Sequence, residues 1–219
     1  MQELKESADY TTIESFLKRE NLTLALKALD FASQFHTHRR KDGTPEFGHQ
    51  IFISNYIIQA VLPRLRYPDE TLAAIFLHDT VEDYRSEVSF EDIRNNFNSI
   101  VVDILKPVTK KESFQKNEED YDEYYENIIK CRGSIVVKAA DRIHNLQSMV
   151  NVFPIERQLK YILEVELYIL PMLDKATEIY FEYKEVYAAL SHTIKRQLIF
   201  LREILKRDEE ILALKSQLA

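Results

Sequence analysis

The chain has 219 residues, of which 45% are hydrophobic and 30% charged, and this composition excludes global disorder. Its net charge of −7 argues against general nucleic-acid binding, and no apolar run approaches the roughly 18 residues that a membrane span needs. With only three Gly and six Pro, few tight turns are available for hairpins, so the composition favours an all-α fold.

Length and cysteine content define the expected organisation. A single domain covering residues 1–219 is the default for a chain of this size. The one cysteine, Cys131, cannot form an intramolecular disulfide, which indicates a reducing compartment. The N-terminus, MQELKESADY, lacks the apolar segment of a signal peptide. We therefore expect a soluble, cytoplasmic protein that binds neither a membrane nor nucleic acid.

Apolar residues at helical spacing predict the helices of the first half of the chain. The predicted spans are residues 11–19, 21–31 with Asn21 as the cap, 48–62, and 69–83 with Asp69 as the cap. The segment DGTP at residues 42–45 is a turn signal. Ser89 and Asp92 resemble a capping box, which predicts a short helix that ends near Phe97.

The second half is predicted to be helical as well. The predicted spans are residues 99–106, 122–131 and 135–150, with a polar, mobile loop over residues 110–121. Residues 154–207 have the pattern of two long amphipathic helices, the first of which is interrupted at Pro171. The final segment, about residues 181–207, is expected to pack either on the core at about residues 21–180 or on a second subunit, and its periodicity favours neither.

The stretch LHDTVED at residues 77–83 places ionisable side chains directly after an apolar run. In a helix, His78 and Glu82 are four residues apart, as are Asp79 and Asp83, so all four can face one cavity. Carboxylates beside an apolar segment require a compensating charge or a metal ion. An amphipathic helix that ends in a solvated acidic turn is the alternative interpretation of this stretch alone.

Two further polar residues, His49 and Asp141, lie on predicted apolar helices. With His78 and Asp79 they provide two imidazoles and two carboxylates, a ligand set suited to Mn²⁺, Fe²⁺, Zn²⁺ or Mg²⁺. A buried salt-bridge network is the alternative. A basic cluster, HTHRRK at residues 36–41, stands out against the acidic background and is either a source of positive field for an anion or a solvated helix end.

These motifs resemble the HD-domain hydrolases, and among them the RelA/SpoT-type alarmone hydrolases, including the stand-alone small alarmone hydrolases. Four blocks carry the resemblance in the same order as in that family, and together they cover roughly residues 25–175. They are DFA with RRKDGTP at residues 30–45, His49, LHDTVED at 77–83, and VKAADRIHNL at 137–146. The resemblance implies an all-α HD-domain bundle of about ten helices.

The resemblance also implies a site and a reaction. The implied ligands, of Mn²⁺ by preference, are His49, His78, Asp79 and Asp141. Glu82 and Asp83 would orient or deprotonate the attacking water and hold the catalytic geometry. The implied reaction is hydrolysis of the 3′-pyrophosphate of ppGpp or pppGpp, which gives GDP or GTP plus pyrophosphate. No synthetase half is expected.

Nucleotide contacts follow from the same resemblance. Arg40 would stack on the base and Lys41 would neutralise phosphate, roles that suit a planar guanidinium and a compact ammonium, with Arg39 as the alternative to Arg40. Asn145 would hydrogen-bond the sugar or phosphate region.

The chain departs from the family at Glu46, where the family usually has an aromatic residue after the proline. Glu46 would accept hydrogen bonds from guanine or select another substrate, such as an adenosine alarmone, NADPH or a dNTP. A catalytically silent nucleotide-binding module is a third hypothesis. The expected partner is a small nucleotide, and a homo-oligomer formed through the C-terminal helices remains open.

Overall fold

The computed structural model describes residues 7–40, 43–150 and 152–218, with side chains described as far as residue 207. These residues contain no β-strand, only an isolated bridge between Arg39 and Pro45. The α-helices of the described part are α1 (Ala8–Arg19), α2 (Thr23–Ser33), α3 (Gly48–Ala60), α4 (Pro68–Leu77), α5 (Thr80–Asp83), α6 (Phe90–Asn96), α7 (Ser99–Val108), α8 (Glu118–Ile128), α9 (Arg132–Ser148), α10 (Ile155–Glu164), α11 (Leu170–Ile179) and α12 (Lys184–Leu218). The all-α prediction is confirmed. Among these helices, none combines the length and the apolar character required to cross a membrane.

Helices α4 and α9 form the centre of the bundle. Every residue from Thr71 to Leu77 of α4 is buried, and the helix packs against α2, α3, α7 and α9. Helix α9 adds contacts with α12. A Cβ atom on Gly133 would lie only 2.7 Å from Cγ1 of Ile104, so the glycine allows α9 to approach α7 closely. The two central helices deliver the polar residues of the site from within an apolar core.

Helix α2 is capped by a distant residue. The carboxylate of Asp69 accepts hydrogen bonds from the backbone amides of Leu24 at 3.1 Å and Ala25 at 2.7 Å. The predictions that Asn21 caps α2 and that Asp69 caps its own helix are therefore wrong. Leu22 occupies the cap position of α2 without a side-chain hydrogen bond, and Asn21 has a positive φ of 55°. The cap is supplied through space, because the packing of α4 on α2 brings Asp69 to the free amides.

Local signals predicted one capping box correctly, but the predicted end of α7 at residue 106 and the predicted start of α8 at residue 122 are wrong. The capping box at Ser89 and Asp92 is confirmed, because each residue's side chain accepts a hydrogen bond from the other's backbone amide. Helix α7 continues through Pro107 to Val108, since a proline in a last turn removes only one backbone donor. Helix α8 begins at Glu118, inside the predicted loop, because the Asn117 side chain caps it.

The helical segment after residue 154 is interrupted near Pro171, as predicted. A five-residue π-helical turn, Val165–Ile169, separates α10 from α11 just before the proline. Proline cannot donate a hydrogen bond to the carbonyl four residues earlier, and a π turn is one way to relieve the resulting conflict. A 3₁₀ turn, Phe181–Tyr183, then leads into α12.

Helix α12 packs on α9 and α11 and buries Tyr187, Leu190 and Ile194. It also exposes Ile199 and Phe200. The helix therefore contacts the rest of the chain directly. Association with a second subunit through its exposed face stays a prediction, as does the single-domain organisation.

Candidate metal centre and adjoining cavity

His49 reaches the site from the first turn of α3. The segment before it makes a turn at Gly43, whose φ of 82° suits glycine, and the turn is closed by the Arg39–Pro45 bridge. Phe47 is fully buried and anchors the start of α3. His49, two residues later, is buried as well, so its ring is held inside the bundle and not in solvent.

The prediction of one helix over residues 69–83 is wrong, because the helix is interrupted and His78 and Asp79 occupy the short break between α4 and α5. The Nδ1–H group of His78 donates a hydrogen bond to the Ile75 carbonyl at 2.8 Å, which leaves Nε2 directed at the site. Burial opposes a charge on this imidazole, but the carboxylates of Asp79 and Asp141 outweigh that effect and raise the pKa of His78. The surroundings of His78 are therefore strongly negative and favour a positive species.

Asp141 completes the cluster from the middle of α9. The Nε2 atom of His49 lies 3.2 Å from Asp141 Oδ1, 3.3 Å from His78 Nε2 and 3.7 Å from Asp79 Oδ2. The Nε2 atom of His78 lies 3.2 Å from Asp79 Oδ2. Two imidazole nitrogens and two carboxylates thus converge from α3, the α4–α5 break and α9. The ligand atoms of His49, His78 and Asp141 all lie within 4.8 Å of one another, and Asp79 Oδ2 lies within 3.7 Å of both imidazoles, so this set of donors fits a divalent cation.

Several side chains hold these ligands in place. Nδ1 of His144 lies 2.7 Å from Nδ1 of His49, Asn145 donates to Asp141 Oδ1 at 2.6 Å, and Gln50 donates to Asp79 at 3.4 Å. Such supporting contacts fix the orientation of metal ligands.

Lys138 compensates the charge of Asp141. Its Nζ atom lies 3.2 Å from Asp141 Oδ2, and both side chains are buried. Burial alone would raise the pKa of Asp141, but the Lys138 ammonium and the His49 side chain outweigh it and hold that pKa well below its usual range. Asp141 is therefore ionised at neutral pH, as a metal ligand must be.

Glu82 and Asp83 lie on the one-turn helix α5, next to the cluster. Glu82 accepts a hydrogen bond from the backbone amide of Lys110 at 2.9 Å. Burial and the neighbouring carboxylates of Asp79 and Glu82 raise the pKa of Asp83 to about 6. A proton or a cation near Asp83 would relieve this repulsion.

Two adjoining cavities of about 220 Å³ and 290 Å³ open onto the cluster, and Arg40, His49 and Asp79 line both. The smaller is also lined by Glu82, Lys110, Tyr124, Arg142, Asn145 and Tyr161. The larger is also lined by Glu46, Asp83, Phe153 and Arg157. A separate cavity of about 490 Å³ lies between α7 and α8 and contains none of the four candidate ligands. Ligand geometry, not cavity size, therefore locates the site.

Only some of the residues predicted to contact the nucleotide line the two cavities. Arg40, Glu46 and Asn145 line the cavities. Arg39 instead donates from Nη1 to the Gly43 carbonyl at 2.7 Å, within the turn. Lys41 lies outside the described residues, so its role stays a prediction.

Sequence reasoning missed Lys110, Lys138 and Arg157. Lys138 precedes Asp141 by three residues on one helix, a spacing that would have indicated a pair. Lys110 belongs to a polar segment with no periodicity, and Arg157 lies on a helix that only the tertiary fold brings to the cavity.

Comparison with known proteins identifies similarity over most of the chain. The HD domain family matches residues 28–167. A probable guanosine-3′,5′-bis(diphosphate) 3′-pyrophosphohydrolase of Synechocystis is 29% identical over 159 residues, which is 69% of this chain and 20% of that protein. The bifunctional (p)ppGpp synthase/hydrolase SpoT of Escherichia coli is 25% identical over 153 residues, 67% of this chain and 21% of that protein.

Other relatives carry different names. A GTP pyrophosphokinase of Streptomyces coelicolor is 30% identical over 128 residues, 56% of this chain and 14% of that protein. The chain thus spans about a fifth or less of the length of these three curated relatives. A solved structure described as a metazoan ortholog of SpoT that hydrolyzes ppGpp superposes with a TM-score of 0.63 at 25% identity, covering 80% of this chain and 93% of that one.

Proposed function

This chain belongs to the HD domain family of hydrolases, among the members that resemble RelA and SpoT, and we propose that it hydrolyses the 3′-pyrophosphate of ppGpp or pppGpp. The products would be GDP or GTP and pyrophosphate. The observation that carries this proposal is that the four candidate ligands line one cavity, which Arg40 and Lys110 also line.

The proposed cofactor is Mn²⁺, held by His49, His78, Asp79 and Asp141. When bound, such an ion supplies a Lewis acid that polarises a phosphoryl group and lowers the pKa of a bound water. The residues supply the remaining functions.

Charge complementarity supports an anionic substrate. A 3′-pyrophosphate carries several negative charges and would be repelled by carboxylates alone. Arg40, Lys110 and Arg157 place three cationic side chains around the same cavities. Preorganised cations of this kind stabilise negative charge that develops on a transferring phosphoryl group. We assign Arg40 to the base and Lys110 to the phosphates.

Glu82 and Asp83 are the proposed carboxylates that orient or deprotonate the attacking water. Both line the cavities, on the short helix that begins directly after Asp79. The Lys110 amide that donates to Glu82 restrains its carboxylate beside the ligand cluster. Asn145 already donates a hydrogen bond to Asp141, so we expect it to orient this proposed ligand as well as to contact the substrate.

The test is turnover of ppGpp labelled in its 3′-pyrophosphate, with Mn²⁺ present. We expect release of labelled pyrophosphate by the wild-type protein and by His192→Ala, a matched control on the exposed face of α12. We expect the rate of pyrophosphate release to fall at least about 1,000-fold in Asp141→Asn, because loss of a proposed ligand weakens binding of the ion and disturbs its position. No release by protein that has bound Mn²⁺ would overturn the proposal.

Glu46 supports a second candidate, hydrolysis of another nucleotide. Its carboxylate lines the 290 Å³ cavity, where the family usually has an aromatic residue. A panel of ppGpp, an adenosine 3′-pyrophosphate, NADPH and dNTPs, with Asp141→Asn as the blank, separates the candidates. Metal-dependent turnover of a nucleotide other than ppGpp supports the second candidate. Binding of the panel nucleotides without turnover of any of them supports a catalytically silent nucleotide-binding module.

A further inference from the structure

A second group of ligand-type side chains lies beside the first. One nitrogen of His36 and one carboxylate oxygen each of Glu46 and Asp83 lie within 4.8 Å of one another. None of the three belongs to the four-residue cluster described above. The group joins the segment after α2, the turn before α3 and the short helix α5.

His36 directs an unpaired nitrogen into this group. Its side chain is 1% exposed, and Nε2 lies 3.1 Å from the Thr80 hydroxyl. Among the described residues, in contrast, Nδ1 has no hydrogen-bond partner. It lies 3.8 Å from Glu46 Oε2, which is too long for a hydrogen bond. A buried nitrogen without a partner is costly, so this atom calls for an occupant of the space in front of it.

The facing carboxylates call for a positive occupant. The carboxylates of Glu46 and Asp83 lie within 4.8 Å of each other and of the buried imidazole, an arrangement that a cation between them would stabilise. Burial lowers the pKa of His36, so that this imidazole is a lone-pair donor and not the counter-charge. The Tyr84 hydroxyl donates to Glu46 at 3.4 Å and its ring packs edge-on against His36, which restrains both residues.

We infer that His36, Glu46 and Asp83 form a second divalent-cation site, next to the His49–His78–Asp79–Asp141 centre. One imidazole and two carboxylates suit Mn²⁺, Fe²⁺, Zn²⁺ or Mg²⁺. Two ligands of one ion lie no more than about 4.2 Å apart, because the bonds are about 2.1 Å long, so side-chain shifts of under 1 Å complete the site. The role of Asp83 then becomes that of a ligand, which leaves Glu82 to face the water.

The second site opens onto the substrate cavity, because Glu46 and Asp83 line its wall. An ion held there would reverse the local charge beside Glu46, where the family usually has an aromatic residue. The effect of this ion on substrate binding rests on the proposed function, but binding of the ion at the second site does not. Glu46 would then be a metal ligand and not a contact to guanine.

The experiment counts ions and does not depend on turnover. Metal-free full-length protein is equilibrated with saturating Mn²⁺, and bound Mn²⁺ per chain is measured by elemental analysis and by the fall in the free-ion EPR signal. We expect two ions for the wild type, one for Glu46→Gln and one for Asp141→Asn. The control Glu203→Gln, at an exposed position on α12, should retain two.

One ion in the wild type, or two in Glu46→Gln, would overturn the inference. A single ion in the wild type, together with a lower unfolding temperature for Glu46→Gln than for the wild type, would identify a His36–Glu46 ion pair instead. Asp83→Asn provides a second variant if Glu46→Gln fails to fold, and one ion is again expected. Two bound ions without ppGpp hydrolysis would contradict the proposed function and leave the second site intact.

Discussion

The Nδ1 atom of His144 lies 2.7 Å from the Nδ1 atom of His49, so one ring donates to the other and the opposite nitrogen of His49 faces the ligand cluster. The His144 ring also packs against Phe52, at 4.7 Å between centroids. His144 therefore orients the candidate ligand His49 without entering the cluster itself. Because His144 lies three residues after Asp141 on α9, this one helix supplies the candidate ligand Asp141 and also holds the candidate ligand His49.

Replacement of His144 should weaken metal binding. We expect His144→Ala to lower the affinity for Mn²⁺ by about 10- to 100-fold, because residues that orient a metal-bound imidazole typically contribute this much. Calorimetric titration of metal-free protein with Mn²⁺ measures the change, and His192→Ala, at an exposed position on α12, is the matched control. An affinity equal to that of the control would show that His49 needs no support from His144.

The activity should fall at alkaline pH because of Lys110. Burial, together with the charge of Lys138, lowers the pKa of Lys110 to about 8. The side chain is an ammonium below that pH and a neutral amine above it, so kcat/KM for an anionic substrate should decrease as pH rises through about 8. The ratio kcat/KM reports the free enzyme's ionisations.

Lys110→Arg tests this assignment, because a guanidinium stays charged throughout the range. We expect the variant to retain its activity above pH 8 relative to its own value at pH 7. A fall of the same size in both proteins would assign the alkaline limb to another group.

The buried ion pair between α9 and α10 should stabilise the fold. Arg142 Nη2 lies 2.6 Å from Glu164 Oε1, and Tyr125 donates to the same oxygen at 2.7 Å. We expect Glu164→Gln to lower the free energy of unfolding by about 3 kcal/mol, because it leaves a buried guanidinium unpaired. Urea unfolding at pH 7 measures this, with exposed Glu178→Gln as the control.

The same pair has a defined pH dependence. Burial opposes ionisation of Glu164, but Arg142 outweighs it and lowers the pKa below the ordinary 4.5. The stabilisation is therefore complete above pH 4.5 and is lost as pH falls through the lowered pKa. The difference between wild type and Glu164→Gln should shrink over that range. A difference below about 0.5 kcal/mol at pH 7, typical of surface substitutions, would contradict the proposed role.

The long-range cap should be measurable as well. We expect Asp69→Ala to destabilise the protein by about 1–2 kcal/mol, since two amides at the start of α2 lose their acceptor. Thermal and urea unfolding measure the loss, and Asp122→Ala, at an exposed position on α8, controls for loss of a carboxylate. Equal stabilities for the two variants would show that solvent satisfies these amides equally well.

The helical class and two local features of the helices are predictable from the amino-acid sequence. Scarce glycine and proline favour an all-α fold over one with hairpins, and the Ser89–Asp92 capping box and the interruption before Pro171 follow from interactions within a few residues. Motif resemblance indicated the HD family before any geometry was known. The convergence of His49, His78 and Asp141 was anticipated from residue chemistry, although their role as ligands stays a prediction.

Contacts between segments that are far apart in the chain become visible only in the folded structure. Asp69 caps a helix about 45 residues earlier in the chain, Lys110 reaches the cavity from a segment without periodicity, and His36 faces Glu46 and Asp83 from another element. Spacing along a chain encodes contacts within one helix, because the helix has a fixed repeat. Contacts between helices depend on how α2, α4 and α9 pack, and that arrangement has no periodic signature in the sequence.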